Sequence, residues 1–380
     1  MDEASQGTKA ASIMTSLNNK AVWDLNLQRE LVTLIPILSR YGFSLDDMQP
    51  HTIGERFLMQ AVTTIGGQKL ILRGSDAHGN PVIIKAARDI VGKAEIKHER
   101  LCRSLINELA FAYNIFVAPA ELRFIEDGDI VISIQLFIDQ DISFLERPLV
   151  EQFSFALSAF KAQEHSRATT GGHVRHISQT FGYKTSSDYL TLCQNFLTST
   201  SSLPTSYPAH TLIEQVINQL TKNTERIEQY GGFLTHTDFV PHNFRIKDNR
   251  LYLLDFSAIR FGNKHEGWAR FLNFMTLYHP ALESALISYV EMNRAGEERE
   301  SLQLMRLFRL AELIAYYTKT LTHSEGALLL LNQTRIQFWS DVLAAELHNT
   351  RVAPTITAVY QATRNTLRSA EEKQRQQGLH

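Results

Sequence analysis

Two patterns of apolar residues divide this chain into two parts. In the first third, short apolar runs alternate with polar residues and glycines, and such runs predict β-strands joined by turns. These runs lie at residues 57–62, 69–72, 81–86, 122–125 and 130–137. From residue 148 onward, apolar residues recur at helical spacing over long stretches, at residues 150–160, 211–230, 268–292 and 302–322. The two patterns predict an α+β fold of two lobes, with an N-terminal five-stranded antiparallel sheet and a larger, mainly helical C-terminal lobe.

Two helices are also predicted in the first part of the chain. Leucines at helical spacing over residues 21–41 predict an N-terminal helix packed on the body, and a further helix is predicted over residues 95–113. The two ends of the chain are small or polar. We therefore expect a disordered N-terminus over residues 1–20, a helical extension over 21–50, a sheet lobe over 51–138, a helical lobe over 139–370 that contains a strand–loop–strand segment over 234–257, and a polar tail over 371–380.

A polar loop near the middle of the chain carries the strongest chemical signal. His236, Asp238 and Asn243 follow one apolar stretch, and Asp255 closes the next one. The Asp-Asn dipeptide at residues 248–249 predicts a hairpin turn that returns Asp255 beside Asn243, because both side chains of the dipeptide tolerate a left-handed backbone. Phosphoryl transfer needs a carboxylate to orient the acceptor hydroxyl, and oxygen ligands to hold Mg2+. The loop and the hairpin supply both kinds of group.

The spacing H-x-D-x-x-P-x-N at residues 236–243, followed by Asp255 and a phenylalanine, is similar to the signature of the aminoglycoside phosphotransferase and choline kinase group. That group shares the bilobal protein-kinase-like fold, so the resemblance implies this fold for the chain. It also implies that Asp238 positions the acceptor hydroxyl and that Asn243 and Asp255 bind Mg2+.

The resemblance further implies a lysine that holds the nucleotide phosphates, and the apolar strand around Lys85 supplies one. A carboxylate from the following helix is expected to orient this lysine, and Glu99 and Glu108 compete for the role. They are nine residues apart, so they face opposite sides of a helix. Glu108 is favoured because it lies beside the apolar Leu105 and Leu109, whereas Glu99 lies in a charged stretch.

Two further nucleotide contacts follow from position within the implied fold. Gly66 and Gly67 lie between two predicted strands, where the backbone can approach phosphate, although a Gly-Gly pair is also ordinary turn chemistry. The G-x-G-x-x-G loop of protein kinases is absent. The backbone of Leu136, Phe137 and Ile138 lies where such a fold has its interlobe hinge, and is expected to meet the base.

The catalytic loop departs from the family pattern in several places. Glycine is common where Thr237, His242 and Ser257 stand, and a Cβ restricts left-handed backbone. Downstream, Glu266 loosely matches an aspartate of the family. His236 is expected to support the loop structurally rather than to act as a base. No required charge is lost, so an active enzyme is favoured over a nucleotide-binding regulatory pseudokinase.

The acceptor is expected to be a small molecule. Phe239 and Val240 are apolar where protein kinases of the Ser/Thr type commonly carry a lysine. The predicted activity is therefore transfer of the γ-phosphate of ATP or GTP, with Mg2+, to a hydroxyl of a small metabolite or antibiotic. A protein kinase is the remaining alternative. The sequence leaves the acceptor and the choice of nucleotide open.

Three histidines, His165, His173 and His176, cluster around the glycines of residues 169–172 in a segment that we expect to be a loop. Their spacing is irregular for a zinc site, which favours a substrate-facing or lid loop.

Composition narrows the class of protein. The chain has 380 residues, 44% of them hydrophobic, and a formal charge of −2, so no basic excess predicts nucleic-acid binding. Cys102 and Cys193 are its only cysteines, which gives no disulfide framework. No apolar run approaches 18 residues, and no signal peptide is evident, so we expect a cytoplasmic protein without a membrane partner. The oligomeric state is not indicated.

Overall fold

A five-stranded antiparallel sheet forms the smaller lobe. The computed structural model describes residues 28, 30–47, 69–109, 117–204, 207–322 and 324–368. A helix, α1, occupies residues 30–40. The strands are β1 Phe43–Leu45, β2 Leu70–Asp76, β3 Pro81–Ala87, β4 Glu121–Asp127 and β5 Ile130–Leu136, in the order β1-β2-β3-β5-β4. The predicted five-stranded sheet is confirmed.

The edge strand beside β2 differs from the expected one. It is Phe43–Leu45, which lies inside the segment predicted as a helical extension over 21–50. Gly42, with φ 78°, takes the left-handed conformation that ends α1 and reverses the chain into this strand. The strand predicted over residues 57–62 lies outside the described residues, as do Gly66 and Gly67.

Helix α1 covers one face of the sheet. Leu34 and Leu38 are fully buried and pack with strand residues such as Leu72, Ile84 and Ile132. Because successive strand residues point to opposite faces, these positions alternate with residues of the other face. The predicted N-terminal helix therefore forms over its described part and serves as the outer cover of the sheet.

The opposite face of the sheet receives α2, which spans Ile90–Glu108. Asp89 caps this helix by accepting a 2.9 Å hydrogen bond from the Gly92 N–H. Ile96 packs against Ala87 and Val131 of the sheet. The face that carries the side chain of Lys85 is thus the face that α2 covers.

The larger lobe is mainly helical. Its helices are α3 Leu149–Glu164, α4 Gly171–Phe181, α5 Ser186–Thr200, α6 Ala209–Lys222, α7 Thr224–Gln229, α8 His265–Tyr278, α9 Pro280–Asn293, α10 Gly296–Leu321, α11 Gly326–Leu347 and α12 Pro354–Leu367. Two short strand pairs lie between α7 and α8. They join β6 Phe233–His236 to β9 Ile259–Gly262, and β7 Phe244–Lys247 to β8 Arg250–Leu253. The predicted bilobal α+β class is confirmed. None of the described helices combines the length and apolarity needed to cross a bilayer.

The turn between β7 and β8 forms at the predicted dipeptide. Asp248 and Asn249 both have positive φ, 50° and 58°. Two adjacent left-handed residues give a tight hairpin whose twist matches that of its strands. This turn brings the end of β8 back beside the start of β7.

The segment that carries the histidine cluster is a helix and not the expected loop. His173 and His176 lie on α4, and His165 follows the last residue of α3. Ile177 and Phe181 stand four residues apart and both pack into the core of the helical lobe. Burial of this apolar pair stabilises the helix, and Gly171 and Gly172 are its first two residues.

An aromatic cluster forms the floor beneath the polar loop. Phe160 stacks on Trp268 with ring centroids 4.3 Å apart, and Phe244 stacks on Phe271 at 5.8 Å. Phe239, from the loop itself, is fully buried against this cluster. The loop therefore rests on a close-packed base that limits its movement.

Replacing a core residue of α1 tests whether this helix belongs to the folded body. We expect Leu38→Ala to lower the free energy of unfolding by about 2–5 kcal/mol, because it opens a cavity against the sheet. Ile35→Ala is the matched control, since Ile35 is 51% exposed on the same helix. Urea unfolding measures both variants. Equal effects of the two substitutions would contradict the packing of α1.

Candidate active site

The polar loop folds back on itself so that its two key side chains meet. Its backbone is tied to the segment between β8 and β9, because the Thr237 N–H donates to the Ala258 carbonyl at 2.9 Å and the Leu254 N–H donates to the Asn243 carbonyl at 2.8 Å. The Asn243 side chain then donates to the Asp238 backbone carbonyl at 2.8 Å and to Oδ2 of Asp238 at 3.1 Å. Asp238 and Asn243 are therefore neighbours.

His236 is fully buried beneath this loop. Its Nε2 lies 3.0 Å from the backbone carbonyl oxygens of both Leu254 and Asp255, so this nitrogen carries the proton and donates. Burial lowers the pKa of His236, although the carboxylates of Asp238 and Asp255 oppose the shift. A neutral imidazole that ties the loop to the end of β8 is the consequence.

Asp255 is held in an unusual backbone conformation. It has φ 54° and ψ 59°, which is left-handed and carries strain for a residue with a Cβ. The Ser257 hydroxyl donates to its Oδ1 at 2.5 Å. Burial opposes its ionisation, but the ammonium groups of Lys69 and Lys85 hold the pKa of Asp255 well below its usual range. Asp255 is thus a fixed carboxylate with two cations near it.

Lys85 pairs with a carboxylate of α2, and that carboxylate is Glu99. Its Nζ lies 2.7 Å from both carboxylate oxygens of Glu99, and both side chains are buried. Arg103, one turn further along α2, donates to Glu99 Oε1 at 3.0 Å. Burial opposes the charge of Glu99, yet Lys85 and Arg103 lower its pKa.

The expectation that Glu108 orients Lys85 is therefore wrong. Glu108 is exposed, at the last turn of α2. The buried face of the helix carries Ile96, Glu99 and Ile106. Glu108 comes two residues after Ile106 and therefore points away from that face. Glu99 and Glu108 do lie on opposite sides of the helix, as their spacing predicts, and Glu99 is the one on the buried side.

A second lysine near the site, Lys69, was not predicted from the sequence. It directly precedes β2, and its Nζ is 3.5 Å from Oε2 of Glu95, one turn before Glu99 on α2. Burial opposes its charge, but Asp255, Glu99 and Glu95 raise the pKa of Lys69. The alternation of strand residues could have predicted this position. Ile71 pairs with Lys85, and Lys69, two residues before Ile71, points to the same face of the sheet as Ile71.

Arg270 is a second site residue that was not predicted from the sequence. Its Nε and Nη2 lie 3.2 and 3.1 Å from Oδ1 of Asp238. Burial opposes ionisation of Asp238, but Arg270 beside it lowers the pKa of that carboxyl. Arg270 lies four residues after Glu266 on α8, in the segment that loosely matched the family. Only the packing of that helix reveals its partner.

Glu266 is linked to the polar loop through the side chain of Arg309. It is fully buried and accepts from Lys184 Nζ at 2.9 Å and from the Tyr189 hydroxyl at 2.8 Å, and Arg309 Nη1 lies 3.4 Å away. Arg309 in turn donates to the Thr237 carbonyl at 2.6 Å. This buried network anchors the backbone one residue before Asp238.

Leu136, Phe137 and Ile138 were expected to contact the nucleotide base, but two of their three backbone N–H groups already have partners. The Leu136 N–H donates to the Ala120 carbonyl at 2.9 Å, and the Phe137 N–H donates to the Pro81 carbonyl at 3.2 Å. Of the three, only the N–H of Ile138 has no hydrogen-bond partner within the described part of the chain. A nucleotide base bound beside these residues would accept a hydrogen bond from the Ile138 N–H.

The pairing of Lys85 can be tested by comparing two glutamates of one helix. We expect Glu99→Gln to lower the free energy of unfolding by about 3–5 kcal/mol, because it leaves a buried ammonium without its counter-charge. Glu108→Gln should change it by less than about 0.5 kcal/mol, since that side chain is exposed. Thermal and urea unfolding measure both. A larger effect for Glu108→Gln would reverse the assignment.

The buried network around Glu266 predicts a dependence of stability on pH. Burial opposes its charge, but Lys184 and Arg309 lower the pKa of Glu266. The stabilisation by its carboxylate is present above about pH 4.3, the usual value in an unfolded chain, and is lost as pH falls through the lower folded value. We expect the free energy of unfolding of Glu266→Gln to fall less steeply below about pH 4.3 than that of the wild type. The exposed Glu225→Gln should follow the wild type, and parallel curves for all three would contradict the network.

Comparison with known proteins gives a likeness of fold. No protein-family model and no curated protein matches the sequence. A thermostable mutant of aminoglycoside phosphotransferase APH(4)-Ia has a similar structure, with a TM-score of 0.58 and 14% identity over 82% of this chain and 97% of that one. The same enzyme in a ternary complex with ADP and hygromycin B gives 0.57 and 14% over 83% and 97%. Macrolide 2'-phosphotransferase type I gives 0.52 and 14% over 81% and 97%. The resemblance found in the motif thus extends to the whole architecture, and this chain has the bilobal kinase-like fold of the aminoglycoside phosphotransferases.

Proposed function

We propose that this protein is a small-molecule phosphotransferase that moves the γ-phosphoryl group of ATP or GTP to a hydroxyl of a small metabolite or antibiotic, with Mg2+ as cofactor. The observation that carries the proposal is the proximity of two cations from the sheet lobe, Lys69 and Lys85, to the carboxylate of Asp255 in the helical lobe. The turn after Asp255 packs against α2, and, although burial of Asp255 opposes the shift, Lys69 and Lys85 lower the pKa of Asp255. Because the nucleotide is available inside cells, the proposal includes a cytoplasmic location.

The side chains near Asp255 suit Mg2+. Asp255 remains ionised because its pKa is depressed. The Asn243 amide donates to Asp238, which leaves its oxygen without a donor among the described residues. A carboxylate and an amide oxygen are the hard ligands that Mg2+ prefers, so Asn243 and Asp255 would hold the ion. When bound, Mg2+ neutralises charge on the nucleotide phosphates.

Lys85 and Lys69 would face those phosphates from the sheet side. Glu99 holds Lys85 by both oxygens, which fixes the ammonium in one place. Lys69 has a looser contact with Glu95, at 3.5 Å. Two cations on one face of the sheet provide the positive charge that a triphosphate requires.

Asp238 would orient the acceptor hydroxyl and accept its proton. Arg270 holds Oδ1, and Asn243 contacts Oδ2, so the carboxylate is fixed in direction. Its lowered pKa makes it a weak base, which fits a reaction in which the hydroxyl proton leaves late. His236 and Arg309 would support the loop from below without contacting the reacting atoms.

The departures from the family motif do not distort the loop. Thr237, His242 and Ser257 all have negative φ, so the conformation requires no glycine at these places. The Thr237 hydroxyl donates to the Ala258 carbonyl at 2.9 Å, and the Ser257 hydroxyl donates to Asp255. These contacts favour an active enzyme over a pseudokinase.

The metal site gives the first test of the proposal. Binding to the folded state raises stability by mass action, by about 2.7 kcal/mol at a ligand concentration of 100 times Kd. We expect ATP with Mg2+ to raise the melting temperature of the wild type more than ATP alone does. Asp255→Asn should lose this Mg2+-dependent part, because it removes a ligand of the metal.

Asp238→Asn is the matched control, since it removes a carboxylate from the same cleft but not from the proposed metal site. It should keep the Mg2+-dependent rise and lose turnover by at least about 100-fold. No rise in the wild type with saturating ATP or GTP would exclude the proposed function. A rise without phosphate transfer to any acceptor would favour the pseudokinase, and transfer to protein alone would favour a protein kinase.

A further inference from the structure

One face of α8 leads away from Asp238 and carries a defined set of side chains. Arg270, Phe274 and Tyr278 are spaced by four residues, so they lie on the same side of the helix. Phe274 and Tyr278 stack with ring centroids 4.1 Å apart. Arg270, at the near end, contacts Asp238. The face therefore begins at Asp238, the carboxylate that would accept the proton of the acceptor hydroxyl.

Two further residues complete this surface. The His242 ring lies 5.2 Å from the Phe274 ring and 6.5 Å from the Tyr278 ring. Arg364 of α12 lies 5.0 Å from the centre of the Tyr278 ring and donates to its hydroxyl at 3.1 Å. We call the surface formed by Arg270, Phe274, Tyr278, His242 and Arg364 the α8 wall. All but Phe274 are partly exposed, so the wall can contact a bound molecule.

The charge of the α8 wall is positive. It carries two guanidinium groups, of which Arg270 contacts the carboxylate of Asp238 and Arg364 contacts the Tyr278 hydroxyl. A third guanidinium lies behind His242, because Arg245 donates to the His242 carbonyl at 3.1 Å. A polycationic acceptor would need carboxylates here to offset its charge, and would instead meet arginine.

Arg270 also has bonding capacity to spare. Its Nε and Nη2 are both used on one oxygen of Asp238. Its Nη1 has no hydrogen-bond partner among the residues that the structure describes. A guanidinium with a free amino group is a strong donor to a carboxylate or phosphate oxygen. That donor belongs to the side chain that contacts Asp238, the carboxylate that would accept the hydroxyl proton.

We propose that the acceptor carries an anionic group, a carboxylate or a phosphate, close to the hydroxyl that is phosphorylated, and that Arg270 binds this group. The inference rests on the proposed function and narrows its substrate class. Phe274 and Tyr278 provide an apolar side for the carbon skeleton, and Arg364 adds positive charge at the far end.

The reaction balances with the groups named. The acceptor hydroxyl oxygen forms a bond to the γ-phosphorus, and the bond from that phosphorus to the β–γ bridging oxygen breaks. The nucleoside diphosphate leaves with the electron pair. The hydroxyl proton passes to Asp238 and then to solvent. Arg270 takes no proton and serves as a specificity-determining residue beside the base.

The test is an acceptor panel assayed by phosphate transfer from radiolabelled ATP. The panel pairs compounds of similar size that differ in charge: neutral polyols, amino alcohols, hydroxy acids and polyol monophosphates. We expect kcat/KM to be at least about tenfold higher for one of the two anionic classes than for the neutral and cationic ones. The comparison of hydroxy acids with monophosphates shows which anion the site takes.

The variant Arg270→Gln separates recognition from support of Asp238. It should raise KM for the anionic acceptor by about tenfold or more, with a smaller effect on a neutral analogue and none on KM for the nucleotide. A role limited to holding Asp238 would lower kcat equally for every acceptor. The exposed Arg299→Gln, which removes an arginine elsewhere in the helical lobe, is the control and should match the wild type.

The outcomes distinguish this inference from the proposed function. Preferred transfer to neutral or cationic acceptors would overturn the anionic class and leave the phosphotransferase intact. A protein that Mg2+ and ATP stabilise but that phosphorylates no anionic member of the panel would also overturn it. Failure of Mg2+ and nucleotide to stabilise the wild type would instead remove the proposed function itself.

Discussion

The buried ion pair between Lys85 and Glu99 is the contact on which the arrangement of the site depends. Both side chains are less than 10% exposed, so each charge requires the other to offset its loss of hydration. The pair fixes α2 against the sheet, and α2 in turn packs against the turn that follows Asp255. The position of Asp255 relative to the sheet lobe thus follows from how one lysine is neutralised.

A second buried network sets the position of the polar loop that carries Asp238 and Asn243. Glu266 is enclosed by Lys184, Tyr189 and Arg309, and Arg309 extends the network to the Thr237 carbonyl. The aromatic floor beneath the loop supplies close packing, and the ion network supplies direction. A loop that must hold a carboxylate at a fixed angle needs both, because apolar contacts alone do not define the orientation of a polar group.

The two sides of the site differ in the kind of cation they offer. The sheet side presents the ammonium groups of Lys69 and Lys85, which lower the pKa of Asp255. The helical side presents guanidinium groups, with Arg270 at Asp238 and Arg364 further along. Lysine binds phosphate as a compact charge, whereas arginine recognises a planar anion through several donors. This division is consistent with a nucleotide on one side and an anionic acceptor on the other.

Local sequence determined what lies within a short stretch of chain. The meeting of Asp238 with Asn243 and the hairpin turn at Asp248 and Asn249 were predictable, because loop length and turn chemistry fix them. The five-stranded sheet and the helical lobe followed from the period of the apolar residues, and the motif indicated the fold that the solved structures confirm.

Tertiary structure decided the contacts made across long separations in the chain. Glu99, and not Glu108, pairs with Lys85 because packing of the apolar residues of α2 sets the rotation of that helix about its axis. Lys69 and Arg270 reach the site only through the sheet register and the docking of α8. Sequence spacing defines which residues share a face of one element, but the face that meets another element is chosen by the packing of the whole core.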